Sequence, residues 1–116
     1  MKKLALLLVT AGIASPVAAA TLDRLLIEST IEKHFDEVMA CYEEGLGRNA
    51  ELAGKVTMRI AIGSKGEVPA ASVAETTLKD DKVEACITKA VRTWTFPKPK
   101  GKGLVWAVYP FVLKTK

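Results

Sequence analysis

The chain has 116 residues, which is enough for one domain with a modest hydrophobic core. Its formal net charge is +4, and subtracting the two charges of Lys2 and Lys3, which lie in a leader described below, leaves +2. A charge this small, without a recognised nucleic-acid motif, argues against binding to nucleic acid.

Charge is unevenly distributed along the chain. Residues 21–51 hold eight acids and three bases, whereas residues 79–116 hold nine bases and three acids. This distribution predicts two solvated faces of opposite sign, or else an acidic helix face and a basic loop that meet different partners.

The first twenty residues have the features of a secretory leader. A basic start at Lys2 and Lys3 precedes an apolar run over 4–14, and small alanines at 18–20 supply a cleavage point. An uncleaved membrane anchor is the alternative, but the apolar run is shorter than the roughly 20 residues that a spanning helix needs. We therefore expect residues 1–20 to be a cleaved signal peptide, and the mature protein to be periplasmic with no stable membrane span after processing.

Cys41 and Cys86 are the two cysteines of the chain. In an oxidising compartment such a pair is most simply one disulfide, and closing a loop of about 46 residues contributes roughly 4 kcal/mol by the chain-entropy argument. A redox-active pair is the alternative, but such pairs usually have C-x-x-C spacing, which is absent here. We predict an intramolecular disulfide.

The first helix is predicted to begin at Ser29, where Ser29 and Glu32 form a capping box, and to end at Gly47. Residues 21–28 form a short N-terminal arm or an extra helical turn ahead of the single domain at 29–116. The helical stripe consists of apolar residues spaced by three or four, namely Ile31, Phe35, Val38, Tyr42 and Leu46.

Three strands and a second helix follow. Alternating apolar residues predict strands over 55–62, 67–76 and 104–113, with a hairpin turn after the first and a bulge in the second. The second helix is predicted to begin on Asp81 and to end near Trp94. The predicted fold class is α+β, in the order helix-strand-strand-helix-strand, with a three-stranded antiparallel sheet and two helices packed on one face.

Proline predicts the order of the strands within this sheet. Pro69 lies in the predicted second strand and Pro110 in the third, and proline is tolerated in edge strands but not in central ones. The first strand has no proline, so we expect it to lie in the centre.

A family resemblance rests on six short segments, which are Cys41-Tyr42-Glu43, Leu52 to Val56, Gly63 with Gly66, Glu84-Ala85-Cys86, Trp94 to Pro97 and Tyr109-Pro110-Phe111. Together they resemble the AgmX/PglI C-terminal domain family, which is similar to the TonB C-terminal domain. The resemblance covers residues 31–112, and it implies a TonB-like fold and an envelope-associated binding domain without catalytic residues. TonB-like energy transducers have a long proline-rich linker between this domain and a membrane helix, and this chain has none.

Few residues have the arrangement that catalysis needs. His34 is the only histidine, and with Cys41 and Cys86 it would form a zinc site only if the thiols stayed reduced, which export makes unfavourable. No serine has a histidine placed near it by the sequence, and no phosphate-binding glycine loop is present. We expect no enzyme activity, no metal and no cofactor.

Two candidate binding sites remain. The third strand is predicted to be an edge that accepts an extended peptide as a further strand, through Val105, Trp106, Ala107, Val108 and Tyr109. A basic loop is the candidate for an anionic ligand, through Lys98, Lys100 and Lys102. A partly exposed strand and a solvated loop are the plainer interpretations of the same residues.

These sites define the functional hypotheses. The first is a non-catalytic periplasmic module of the cell envelope that docks a protein or an extended peptide at the third strand. The alternative is binding of a cell-wall polymer or another anionic glycan through the basic loop. A second alternative is a thiol redox protein.

Overall fold

A computed structural model describes residues 20–115, so nearly all of the predicted signal peptide lies outside the described residues. Residues 20–115 form an α+β fold of three helices and three strands. In chain order these are α1 (Arg24–Lys33), α2 (Phe35–Leu46), β1 (Gly54–Ile62), β2 (Ala70–Thr76), α3 (Asp81–Val91) and β3 (Val105–Leu113). Over residues 20–115, none of the helices is both long and apolar enough to cross a bilayer.

The first helix begins earlier than the sequence predicted, and it is broken. The Asp23 carboxylate accepts a hydrogen bond from the Leu25 N–H, so α1 begins at Arg24. Of the two alternatives for residues 21–28, the extra helical turn is the one observed, over residues 24–28. Ser29 therefore lies inside α1, and its predicted capping box is replaced by the Asp23 cap. A turn at His34 separates α1 from α2.

The sheet has the order β2-β1-β3, and both pairings are antiparallel. The central position predicted for β1 is confirmed. Strand β2 begins at Ala70 instead of residue 67, so Pro69, which has no N–H to pair, precedes the strand. The alternation of apolar residues in this strand slips between Ala70 and Val73 and predicts the bulge there, but it lies at Ala74 instead, because Met58 pairs with Val73 and Thr57 pairs with Glu75.

The helices cover one face of the sheet, and the core lies between the two layers. Alternate residues of β1 point into this core, where Val56, Met58 and Ile60 have no solvent exposure. Gly45 of α2 permits a close approach of α3, because a Cβ atom at this position would lie 2.5 Å from a methyl group of Val83. A glycine inside the helix is thus explained by packing.

The second predicted helix, α3, begins at Asp81 and ends at Val91. Its cap is Asp80 rather than Asp81: the Asp80 carboxylate accepts from the Val83 N–H at 3.0 Å, and Glu84 accepts in return from the Asp80 N–H at 3.3 Å. This reciprocal arrangement resembles a capping box, except that the carboxylate that reaches back is at the fourth helical position instead of the third. The capping motif was therefore predicted one residue too late.

Candidate functional site

Strand β3 is an edge strand, and the direction of its backbone groups follows from the central strand. Lys55 of β1 directs both its N–H and its C=O toward β2, because its carbonyl accepts from the Thr77 N–H at 2.8 Å and its N–H donates to the Thr77 hydroxyl at 2.8 Å. Successive residues of a strand alternate in this direction. Val112, which is the β3 partner of Lys55, therefore directs its N–H and C=O away from the sheet.

The same alternation divides the segment that the sequence predicted as the docking edge. Trp106 and Val108 direct their backbone groups outward with Val112, whereas Val105, Ala107 and Tyr109 direct theirs toward β1. Within residues 20–115, no hydrogen bond joins the outward groups of Trp106 or Val108 to another residue. The segment 105–109 therefore offers two outward N–H donors and two outward C=O acceptors, at positions two residues apart.

The backbone of Pro110 also faces away from β1, as at Trp106 and Val108. Its pairing with Thr57 of β1 needs no proline N–H, because the missing donor would point away from the sheet. The proline therefore leaves β3 intact and removes one donor from the outer edge.

A groove lies beside this edge. A cavity of about 380 Å³ separates α1 from β3, and it is lined by Arg24, Ile27 and Glu28 from the helix and by residues 107–110 from the strand. The Arg24 guanidinium and the Glu28 carboxylate are 3.2 Å apart across one helical turn. The groove thus has an apolar floor at Ile27 and Ala107 and an ion pair in its helical wall.

The sequence prediction missed this groove because it left residues 21–28 open between an arm and an extra helical turn and assigned them no contact with β3. A usable signal was present. Asp23 is a good cap, and Ile27 and Ile31 follow it at the four-residue spacing of a helix face. In the structure Ile31 is fully buried and Ile27 packs against the same core.

The side chains of the edge residues point to two different faces. Val105, Ala107 and Tyr109 face the helices and are buried or half-buried, while Trp106 and Val108 project from the uncovered face with exposed fractions of 49% and 62%. The predicted segment 105–109 therefore contributes to two surfaces.

The basic loop carries Lys98, Lys100 and Lys102, all of which are exposed. Its backbone is held by the N-terminal segment, because Thr21 and Lys100 exchange two hydrogen bonds of 2.7 and 2.8 Å. Lys98 and Lys100 line a cavity of about 310 Å³ together with Asp23, whereas Lys102 does not line it. The structure thus groups two of the three predicted lysines.

The predicted disulfide between Cys41 and Cys86 is confirmed. It joins α2 to α3 with a Cα–Cα distance of 5.7 Å. The zinc arrangement considered with His34 does not form, since both sulfurs are bonded to each other. Across residues 20–115, no group of three side chains is placed to hold a metal ion.

His34 belongs to a polar cluster that the sequence did not reveal. Its ring stacks on Trp94 with centroids 4.9 Å apart, and its Nδ1 lies 2.9 Å from a carboxylate oxygen of Glu37. The buried Trp94 donates its indole N–H to the other oxygen of Glu37 at 3.0 Å. The hydrogen bonds from Trp94 and His34 lower the pKa of Glu37 below its ordinary value.

Asp80 carries a second perturbed carboxylate. The backbone N–H of Val83 and the guanidinium of Arg48, which is 2.9 Å away, lower the pKa of Asp80. Because Arg48 follows α2 and Asp80 caps α3, this ion pair joins the two helices. Its role is structural, and neither carboxylate lies beside the groove at β3.

Comparisons with protein-family models, with curated proteins and with solved structures give no match for this chain. The resemblance to the AgmX/PglI C-terminal domain and to the TonB C-terminal domain thus stays a prediction.

Proposed function

We propose that the protein is a non-catalytic binding module of the cell envelope that docks an extended segment of a partner along the outer edge of β3. The observation that carries this proposal is the pair of outward backbone positions, Trp106 and Val108, which make no hydrogen bond within residues 20–115. An added strand pairs with both positions, and its main-chain hydrogen bonds supply affinity.

The groove beside the edge supplies selectivity. In an added strand, the side chain of the residue opposite Val108 points to the uncovered face of the sheet, as the Val108 side chain does. The side chains of the two neighbouring residues of the added strand therefore point toward the helices. They enter the cavity above the small Ala107, where Ile27 offers an apolar contact. Arg24 and Glu28 offer one charge of each sign to the next side chain along the partner. The preferred segment therefore has an apolar residue near Ala107 and a polar or charged residue two positions along, on the same face.

Pro110 limits the length of the pairing. It retains a carbonyl acceptor but has no donor, so a partner strand is fully paired at Trp106 and Val108 and only half paired at Pro110. The same feature protects an otherwise continuous edge against indiscriminate pairing with other chains. Specific docking and resistance to aggregation are thus compatible on one strand.

The expected location and family agree with this role. The leader predicts export to the periplasm, and the resemblance implies an envelope-associated binding domain of TonB-like fold. The order of the elements, the antiparallel sheet and the helix layer on one face support that expectation. Energy transduction is not proposed, because the residues between the leader and α1 include no proline-rich linker.

The decisive experiment uses a displayed library of extended peptides selected on the mature chain. Val108→Pro removes an outward donor at a position that, like Pro110, faces away from β1. We expect it to weaken the selected peptides by tenfold or more while the fold persists. Thr57→Ser on β1 is a matched control on the uncovered face, and we expect it to leave the affinity unchanged.

Amide exchange supplies the second measurement. A bound peptide should slow exchange at the N–H groups of Trp106 and Val108 more than at any inward N–H of β3. Strand addition is the wrong mechanism if the selected peptides leave both of these amides unprotected.

An anionic glycan is the alternative ligand, at the basic loop. It is supported by the cavity that Lys98 and Lys100 share, although Asp23 opposes the positive charge there. Binding to purified cell wall that weakens after substitution of Lys98, Lys100 and Lys102 by Gln, but not after Val108→Pro, would favour this alternative. A thiol redox role is the least supported, because Cys41 is 4% exposed within its disulfide.

A further inference from the structure

The uncovered face of the sheet carries a row of apolar side chains along β3. This row consists of Trp106, Val108, Pro110 and Val112. Among the described residues, six large apolar side chains are exposed, and four of them lie between 104 and 112, the other two being Leu25 and Leu26 on α1. Six residues of strand span roughly 20 Å, so the row is a long ridge rather than an isolated contact.

Cations lie directly beside this ridge. Lys55 of β1 is the cross-strand neighbour of Val112, and Arg59 is the neighbour of Val108. The Arg59 guanidinium also lies 4.2 Å from the centroid of the Trp106 ring. Glu75 is the single acidic residue of the three strands, and it lies on β2, across Thr57 from the apolar ridge. The face therefore combines apolar surface with net positive charge.

We infer that this face binds the surface of an anionic lipid bilayer. A ridge with Trp106 and Arg59 at one end and Lys55 at the other matches the boundary between headgroups and acyl chains. The ring and the aliphatic stems enter the apolar layer while the charges remain among the phosphates. The apolar ridge supplies insertion, and Lys55 and Arg59 supply attraction to the negative surface.

Charge complementarity favours this occupant over a second copy of the chain. Two copies packed face to face would bring together four basic side chains, Lys55 and Arg59 from each, with only one Glu75 from each copy to balance them. Like charges brought together in an interface are unfavourable. An anionic bilayer instead places a negative group beside each cation. The inference is independent of strand addition, which uses main-chain groups at the edge and not the side chains of this face.

The test uses the mature chain and two kinds of vesicle, phosphatidylcholine alone and phosphatidylcholine mixed with phosphatidylglycerol. We expect co-sedimentation with the mixed vesicles and not with the neutral ones. Each basic residue near an anionic surface strengthens binding roughly fivefold, so Lys55→Gln combined with Arg59→Gln should weaken it by at least tenfold. Lys89→Gln combined with Arg92→Gln is the matched control, because it removes the same charge from the exposed side of α3. We expect the control to change binding by less than about twofold.

The two tryptophans provide an internal reporter. Trp94 is 2% exposed and Trp106 is 49% exposed, so a blue shift of emission on mixed vesicles should come from Trp106 and be lost in Trp106→Phe. Equal weakening by both pairs of substitutions would overturn the inference, because net charge alone would then explain binding. So would the absence of binding to mixed vesicles. A blue shift that depends on protein concentration without vesicles would also overturn it, since a second copy would then cover the face.

Discussion

Two regions of the molecule differ in whether their polar groups have partners. One is the contact between α2 and α3, here called the seam, and the other is the outer edge of β3. Along the seam, the two antiparallel helices and their ends are joined three times, by Glu37 with Trp94, by the disulfide, and by Arg48 with Asp80. Within residues 20–115, the outward groups of Trp106 and Val108 on β3 have no such partners. None of these three links uses an outward group of β3, so the edge can keep its hydrogen-bonding groups available without loss of the links that join the helices.

The largest expected effect comes from breaking the seam at its covalent link. Cys86→Ser should lower the free energy of unfolding by roughly 2–5 kcal/mol, because the unfolded chain regains the freedom of the loop that the disulfide closes. Urea unfolding of the oxidised protein and of the variant measures the difference. Two free thiols in the unfolded, unreduced wild-type protein would contradict the disulfide.

A pair of proline substitutions tests the division of β3 into inward and outward positions. Ala107→Pro removes a donor to β1 and should cost about 1–3 kcal/mol, because the carbonyl of Ile60 loses its partner in the core. Val108→Pro removes only an outward donor and should cost less than about 1 kcal/mol. Thermal unfolding of both variants measures the two losses of stability. Equal losses would show that the assigned directions of the β3 backbone groups are wrong.

The polar end of the seam should respond to acid. The pKa of Glu37 is lowered in the folded state, so its contribution to stability is present above the unfolded pKa of about 4.3 and is lost as pH falls through the folded value. At neutral pH Glu37→Gln should cost about 1 kcal/mol, the usual worth of such a hydrogen bond.

The comparison that isolates this contribution is a pH series of urea unfolding for wild type and Glu37→Gln. The two curves should converge as the pH falls through the lowered folded pKa of Glu37. A constant difference between the two proteins across that range would mean that the Glu37 charge does not matter to the Trp94 contact.

The smallest expected effect on stability belongs to the basic loop. Substituting Lys98, Lys100 and Lys102 by Gln should change the free energy of unfolding by less than about 0.5 kcal/mol, because all three side chains are exposed. If the loop binds an anionic glycan, the same variant should bind more weakly and with a flatter salt dependence. Binding to purified cell wall across a salt series measures both, and an unchanged series would leave the loop as a solvated connection.

The sequence predicted well those features in which the chemistry of one residue type permits only one arrangement in the fold. Pro110 lacks a donor wherever it lies, so it excluded β3 from the centre of the sheet, and the observed order confirms this. Two cysteines allow only one intramolecular pairing, and that pairing is present. In both cases the residue type alone limits the possible structures.

The sequence missed two kinds of feature: those in which two residues compete for the same role, and those that join residues far apart in the sequence. Asp23 and Ser29 are both acceptable helix caps, and the earlier one forms because Ile27 then packs against the core. Trp94 and Glu37 are 57 residues apart, so no local pattern announces their hydrogen bond. The groove beside β3 was missed because of the competition between the two caps, since the helical wall of the groove depends on where α1 begins.

The disulfide also fixes how the molecule carries a mechanical load. The loop between Cys41 and Cys86 encloses β1 and β2 but excludes β3. A pull along the axis of β3 is therefore resisted in shear by the nine residue pairs that join β3 to β1. If that ladder fails, the covalent bridge still prevents the enclosed strands from extending. Tension can lengthen only the segments outside the loop, so the oxidised protein should rupture with a much shorter extension than the reduced one.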